Sequence, residues 1–242
     1  MESIKTQLLD MSAKPKRSNE TNSENESDWS LVHGKKKKPS VLLVGTSNIK
    51  GIEPSQLSTK YHTSKETAYT IDQATNIIQD YPSQPDVIAY HILNNQIKSS
   101  SSGECVDKLL NLVNKTKELK PNSKIIVSLA TNRCDDRKLN RKVNTVNSLL
   151  HEFIEDTSMD TQFVLCENNN LSTANSEIRN RFITTDGYHL SDEGVKMLAS
   201  NLRRSIDKVL DIPQNPMRKD PRPRRPWRRP NEQRQRRDPV SQ

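Results

Sequence analysis

Residues 41–47 are VLLVGTS. The four apolar residues in a row are typical of a strand that is buried on both faces of a parallel sheet. A glycine turn follows, and Ser47 comes next. A second segment, DGYHLS at residues 186–191, precedes an amphipathic helix. A serine hydroxyl becomes a nucleophile when an imidazole takes its proton and a carboxylate orients that imidazole. Ser47, His189 and Asp186 are therefore a candidate nucleophile, base and orienting acid.

Strand and helix patterns alternate between residues 39 and 211. Apolar runs predict strands at 41–45, 86–93, 124–130 and 162–166, with a further short strand at 66–70. Apolar residues at helical spacing predict helices over about 106–113, 139–153 and 195–209. We therefore predict an α/β fold, a three-layer α/β/α sandwich with a mostly parallel sheet of four to five strands and right-handed crossovers.

The predicted topology places several polar residues on one rim. In such sheets the active crevice lies at the carboxyl ends of the strands. Ser47, Asn95 and Thr131 follow predicted strands, so we expect them at that edge. His189 opens the last helix and is expected to return to the same edge.

The two ends of the chain differ in composition from its middle. The chain has 242 residues, of which 31% are hydrophobic, a low share for a chain that is globular throughout. We therefore expect a disordered polar and basic arm at 1–38, a folded domain at 39–211, and a disordered Arg/Pro-rich tail at 212–242.

The tail carries nearly all of the net charge. Residues 213–242 hold ten basic and three acidic side chains, so +7 of the net +8 lies there. Arginines neutralise phosphates and an indole ring stacks on bases, so the tail is a candidate segment for binding RNA or DNA. The alternative is a solubilising tail without a single partner. The candidate binding residues are Arg222, Arg224, Arg225, Trp227, Arg228 and Arg229.

Other sequence features exclude several protein classes. The three cysteines are widely spaced, so we expect neither a zinc site nor a disulfide framework. Residues 1–10 lack the apolar run of a signal peptide, and no apolar stretch reaches the length of a membrane span. The loop from Gly45 to Gly51 lacks the Gly-Lys-Ser/Thr ending of a nucleotide-binding loop, and a flavin-type phosphate loop is left as an alternative. We expect no metal and no cofactor. We also expect an intracellular protein, cytoplasmic, nuclear or both, that is not secreted.

Three motifs occur in the order typical of one hydrolase family. They are Gly45-Thr46-Ser47 after the first strand, Asn95 after the next long strand, and Asp186-x-x-His189 before the last helix. Together they resemble the SGNH (GDSL-type) hydrolases over about residues 40–210. The resemblance implies a flavodoxin-like topology and an esterase that acts on a small acyl ester such as an acetyl ester. It implies that Ser47 is the nucleophile and a backbone oxyanion donor, Asn95 the side-chain oxyanion donor, His189 the base and Asp186 its partner.

The chain departs from the family pattern around the oxyanion hole. Thr46 stands where the family usually has aspartate, Gln96 follows Asn95 where aspartate is usual, and residues 66–70 lack the expected glycine donor. The three triad residues are unaffected. Each candidate also has a structural alternative: Ser47 as a helix cap, Asn95 as a turn residue, Asp186 as the residue that fixes the turn at Gly187, and His189 as an ordinary surface histidine near a helix start.

A second resemblance concerns the whole chain. A short apolar segment, Trp29-x-x-Val32, precedes a run of lysines and then residues 41–47. This arrangement is similar to first-reading-frame proteins of some non-long-terminal-repeat retrotransposons and to host genes derived from them. This resemblance implies an RNA-associated, esterase-like protein. Two hypotheses follow: a serine ester hydrolase, or a nucleic-acid-binding protein whose esterase-like domain is a scaffold with little or no turnover. The oligomeric state is left open.

Overall fold

A parallel sheet of five strands forms the centre of the part of the chain that the structure describes. The structure is a computed structural model, which describes residues 37–156 and 163–213. The strands are β1 Ser40–Gly45, β2 His62–Thr67, β3 Val87–His91, β4 Lys124–Ser128 and β5 Val164–Cys166. They lie in the order β2-β1-β3-β4-β5, and every neighbouring pair is parallel. This is the flavodoxin-like order, so the predicted α/β class and parallel sheet are confirmed.

Helices cover both faces of the sheet. They are α1 Pro54–Leu57, α2 Ile71–Asp80, α3 Leu93–Ser99, α4 Ser102–Leu119, α5 Arg137–Asp156 and α6 Asp192–Val209. Successive residues of a strand point to opposite faces. Leu42 and Val44 of β1 therefore pack in a core with α2, α4 and α5, whereas Val41 and Leu43 pack in a second core with α6. The predicted three-layer sandwich is confirmed.

The long helices begin and end where local chemistry favours it. Ser101 and Glu104 form a reciprocal capping box at the start of α4, and the helix ends before Pro121. The hydroxyl of Ser191 accepts a hydrogen bond from the N–H of Gly194 at 3.2 Å, with Asp192 in the first turn of α6. Helix α6 ends at Val209, and Leu210 follows it as the cap residue.

The predicted limits of the strands at 66–70 and 86–93 are wrong, and the strands predicted at 124–130 and 162–166 are shorter, Lys124–Ser128 and Val164–Cys166. The short strand predicted at 66–70 is β2, which begins four residues earlier at His62 and ends at Thr67. It is an edge strand of polar, partly exposed residues, so no apolar run marks it. The strand predicted at 86–93 ends at His91. Leu93 and Ile97, four residues apart and both buried, belong to α3 instead. Asn95 therefore lies in a helix and does not directly follow a strand.

Some predictions concern residues outside the described ranges. The arm at 1–38 lies outside them except for Lys37 and Lys38, and the tail at 212–242 except for Ile212 and Pro213. The Trp29-x-x-Val32 segment lies outside the described ranges as well. The domain boundaries therefore stay predictions. Within the described residues, no helix combines the length and apolar character needed to cross a bilayer.

Candidate active site

Ser47 follows the carboxyl end of β1, which is an interior strand of the sheet. Gly45 ends that strand so close to β3 that a Cβ atom there would stand 2.6 Å from the carbonyl oxygen of His91. Thr46 is buried and donates its N–H to the same oxygen at 3.1 Å. The chain then turns into a short 3-10 helix, Ser47–Ile49, whose cap position is Thr46. Ser47 is thus the first residue of this turn, half-buried, and the capping alternative for its side chain is wrong.

Asp186 and His189 form a hydrogen-bonded pair. Oδ2 of Asp186 lies 2.6 Å from Nδ1 of His189, and Oδ1 accepts the N–H of His189 at 2.9 Å. The hydroxyl of Thr184 also donates to Oδ1 at 2.6 Å. These hydrogen bonds, led by that of Thr184, hold the pKa of the Asp186 carboxyl well below its usual range. When Nδ1 donates to the carboxylate, Nε2 of a neutral imidazole is the proton acceptor, as a general base requires.

The turn between the two residues depends on Gly187. Its φ of +69° is in the left-handed region that favours glycine. Its carbonyl oxygen accepts the N–H groups of Cys134 at 2.9 Å and Asp135 at 3.2 Å, in the loop after β4. A Cβ atom at this position would stand 2.8 Å from the nitrogen of Asp135. The Asp186–His189 turn is therefore docked on the rim of the sheet. The side chains of Asp186 and His189 are nearly half exposed, so the pair faces solvent.

One buried hydrogen bond joins the serine turn to the histidine turn. Oδ1 of Asn48 accepts the N–H of Leu190 at 3.2 Å. Asn48 directly follows Ser47, and Leu190 directly follows His189. The two candidate catalytic residues, which are far apart in the chain, therefore belong to adjoining segments.

Asn95 adjoins the histidine turn from the other side. It is half-buried in α3, and its Oδ1 accepts a hydrogen bond from the phenol of Tyr188. The preceding residue, Asn94, is buried and exchanges hydrogen bonds with Thr131: its Nδ2 donates to the Thr131 carbonyl oxygen at 2.9 Å, and its Oδ1 accepts the Thr131 N–H at 3.1 Å. Asn94 thus ties α3 to the rim loop, which leaves Asn95 as the asparagine beside the histidine turn.

Residues 66–70 are the segment expected to supply a glycine oxyanion donor, and two of their backbone N–H groups donate to other atoms of the protein. The N–H of Ala68 donates to the carbonyl oxygen of Gly45 at 2.9 Å. The N–H of Tyr69 donates to Oε1 of Gln73 at 2.7 Å. The candidate donors toward an oxyanion are therefore the N–H of Ser47 and the amide of Asn95.

Sequence reasoning missed three residues around the site. Tyr188 contacts Asn95, Lys98 places its Nζ 3.8 Å from the centre of the Tyr188 ring, and the guanidinium carbon of Arg133 lies 4.4 Å from it. The position of Tyr188 next to His189 was the available signal. Arg133 and Lys98 come from other elements, and no local pattern marks them.

Two further kinds of site were considered in the sequence, a metal site and a nucleic-acid-binding segment. Within residues 37–156 and 163–213, no three His, Cys, Asp or Glu side chains are grouped so as to hold a metal ion. The proposed nucleic-acid-binding residues of the tail, from Arg222 to Arg229, lie outside the described residues.

Comparison with known proteins finds similarity in structure alone. No protein-family model matches the chain. No curated protein matches it. Solved structures do. A GDSL-like lipase from Bacteroides thetaiotaomicron has a TM-score of 0.58 at 13% identity, over 71% of this chain and 89% of that chain. A member of the lipolytic protein G-D-S-L family from Veillonella parvula has a TM-score of 0.54 at 12% identity, over 68% and 96%. A carbohydrate esterase family 3 structure from Talaromyces cellulolyticus has a TM-score of 0.53 at 12% identity, over 72% and 100%. The chain therefore has the fold shared by these lipolytic and esterase structures.

Proposed function

We propose that this protein is a serine ester hydrolase of the SGNH type that acts on a small acyl ester such as an acetyl ester. The observation that carries the proposal is the Asp186–His189 pair on a turn that the Asn48–Leu190 hydrogen bond joins to the turn of Ser47. The fold shared with GDSL-like lipases and esterases supports the same class of chemistry.

In the proposed mechanism, Ser47 Oγ attacks the ester carbonyl carbon while His189 Nε2 takes the hydroxyl proton. The carbonyl oxygen becomes an oxyanion, which accepts hydrogen bonds from the N–H of Ser47 and the amide of Asn95. The intermediate collapses, the alcohol leaves with the proton from His189, and an acyl-Ser47 ester forms. Water, deprotonated by His189, then attacks this ester, which releases the acid and restores the serine. Asp186 holds the neutral imidazole of His189 in the tautomer with its proton on Nδ1, and it stabilises the imidazolium that forms when His189 takes the hydroxyl proton.

The test is hydrolysis of p-nitrophenyl acetate by the whole chain. We expect turnover in the wild type and a loss of about a thousandfold or more in kcat for Ser47→Ala. Ser55→Ala is the matched control, because Ser55 is exposed and lies at the start of α1. If Ser47→Ala and Ser55→Ala hydrolyse the ester equally well, Ser47 is not the nucleophile.

A second function is proposed for the tail, because +7 of the net charge lies in its thirty residues. We propose that residues 213–242 bind RNA or DNA through phosphate contacts, with Trp227 stacked on a base. The proposal accords with the resemblance to retrotransposon first-reading-frame proteins, and we propose an intracellular location as well. RNA affinity should fall steeply with salt and disappear when residues 213–242 are removed. An affinity unaffected by that truncation would refute the proposal.

A further inference from the structure

The contact between Tyr188 and Asn95 joins two parts of the candidate active site. Tyr188 precedes His189 directly, and Asn95 lies 93 positions earlier in α3. The Tyr188 phenol donates a hydrogen bond to Oδ1 of Asn95. Neither the motif around His189 nor that around Asn95 requires this contact, so it is a property of this chain's own side chains.

The direction of this hydrogen bond determines which end of the Asn95 amide is free. A side-chain amide has a carbonyl oxygen that accepts hydrogen bonds and an NH₂ group that donates two. An oxyanion in an acyl transfer needs donors, so only the NH₂ end of Asn95 can stabilise it. Because the phenol engages Oδ1, Nδ2 is the end left for the oxyanion. Rotation of the amide by half a turn would exchange this bond for one from Nδ2 to the phenol oxygen, and it would turn the carbonyl oxygen toward the oxyanion.

The phenol is in the correct state to donate. Burial raises the pKa of Tyr188 above its usual value, so the group keeps its proton at neutral pH. A phenolate could only accept, and it would then select the opposite orientation of the amide. Tyr188 is half-buried, between α3 and the loop that follows β4.

Two cations hold the ring of Tyr188. Nζ of Lys98 lies 3.8 Å from the ring centre, and the guanidinium carbon of Arg133 lies 4.4 Å from it, both within the range of cation–π attraction. The buried guanidinium of Arg133 is held in turn by an ion pair with Asp135. Lys98 stands three residues after Asn95 in α3, on the same side of the helix. The ring is therefore anchored to the same helix that carries Asn95.

We propose that Tyr188 is a positioning residue that sets the Asn95 amide with its NH₂ group toward the oxyanion. The proposal rests on the proposed esterase function. Tyr188 makes no contact with the substrate in this scheme and acts only through Asn95.

A double-mutant cycle in p-nitrophenyl acetate hydrolysis tests this role. Tyr188→Phe keeps the ring and its cation contacts and removes only the hydroxyl. We expect it to lower kcat about tenfold, with little change in KM, because a tenfold loss corresponds to about 1.4 kcal/mol, which is the size of one hydrogen bond. Asn95→Ala should lower kcat about a hundredfold to a thousandfold. The double variant should equal Asn95→Ala, since without the amide the phenol has nothing to orient.

Tyr81→Phe is the matched control. The Tyr81 hydroxyl also makes one side-chain hydrogen bond, to Ser64 Oγ at 2.6 Å, but in a different part of the fold. This variant should keep the wild-type kcat. In Tyr188→Phe the rising limb of the pH–rate profile, which reports the base, should stay where it is in the wild type.

The outcomes separate this proposal from the proposed function. A wild type that hydrolyses no ester and reacts with no serine-directed probe overturns both. An active wild type with an unimpaired Tyr188→Phe overturns the positioning role alone. So does a double variant whose loss is the product of the two single losses, because independent sites multiply. A displaced rising limb in Tyr188→Phe would show that Tyr188 acts through the neighbouring His189, and it would overturn the proposal too.

Discussion

The side-chain oxygen of Asn48 accepts a hydrogen bond from the backbone N–H of Leu190, 142 positions later in the chain. Asn48 is buried, so neither partner can exchange this bond for one to water. The bond therefore fixes the relative position of the turns that carry Ser47 and His189.

The first prediction concerns this bond. Asn48→Ala leaves the buried N–H of Leu190 without its acceptor, so we expect the free energy of unfolding to fall by about 1–3 kcal/mol. Because the two turns are no longer joined, kcat for ester hydrolysis should fall as well. Urea denaturation and steady-state kinetics measure the two effects. Asn175→Ala, at an exposed position, is the control and should change neither. Equal kcat values for the two variants would show that this bond does not align the site.

The second prediction concerns the Asp186–His189 pair. Asp186→Asn replaces a carboxylate that accepts from Nδ1 with an amide that can favour the other tautomer of His189. By analogy with serine-protease triads we expect kcat to fall by about a thousandfold to ten-thousandfold at pH 7. Because the pKa of Asp186 is lowered, the wild-type carboxylate is ionised at pH 7. A loss of less than about tenfold in initial rate would show that Asp186 does not orient the base.

The third prediction uses two glycines as a matched pair. A Cβ atom at position 45 would stand 2.6 Å from a backbone oxygen that cannot move alone, whereas one at position 103 in α4 would meet nothing within 4 Å. Gly45→Ala should therefore destabilise the fold and reduce ester hydrolysis. Gly103→Ala should stabilise it by about 0.5–1 kcal/mol, because alanine is the better helix former. Thermal unfolding of both variants is the measurement, and a Gly45→Ala protein as stable as the wild type would contradict the close packing of β1 on β3.

The fourth prediction concerns pH and stability. His91 is fully buried in β3, with Nδ1 3.0 Å from the hydroxyl of Ser128, and burial lowers its pKa from 6.5 to about 4. The unfolded chain binds a proton below pH 6.5 that the folded protein does not accept until about pH 4. Stability from this residue is therefore complete above pH 6.5 and declines as the pH falls toward 4, by about 3 kcal/mol.

Urea denaturation between pH 7 and pH 4 measures this decline. His91→Asn should lose this part of the acid dependence, whatever its stability at pH 7. His151→Gln is the control, because His151 is partly exposed in α5 and pairs with Glu167. If His91→Asn and the wild type lose stability equally over this range, another group is responsible.

Most elements with a strong apolar pattern are predicted from the sequence, whereas polar or short elements are misplaced or missed. Strands β1 and β4 and helices α4, α5 and α6 bury apolar residues at regular spacing, so their existence was evident. The edge strand β2 consists of polar residues, so the predicted strand begins four residues too late. Helix α2, which buries Ile71, Ala74 and Ile78 at helical spacing, is absent from the predicted elements. The strand predicted at 86–93 runs into the short helix α3, because the apolar residues continue directly from β3.

The candidate site divides in a similar way. Short motifs indicate Ser47, Asp186 and His189, because a hydroxyl, an imidazole and a carboxylate together suggest nucleophilic catalysis before any fold is known. The contacts of Tyr188 with Asn95, Lys98 and Arg133 depend on how α3 and the loop after β4 meet the histidine turn. Such long-range packing has no signature in a single sequence, and the same is true of the Asn48–Leu190 hydrogen bond.

Labelling with a fluorophosphonate probe, followed by mass spectrometric mapping of the adduct, tests the central claim most directly, since this reagent reacts with an activated serine whatever the natural ester. The account predicts one adduct, on Ser47, that disappears in Ser47→Ala and forms far more slowly in His189→Ala. A probe that leaves Ser47 unmodified, or labels it at the same rate without His189, would contradict the claim.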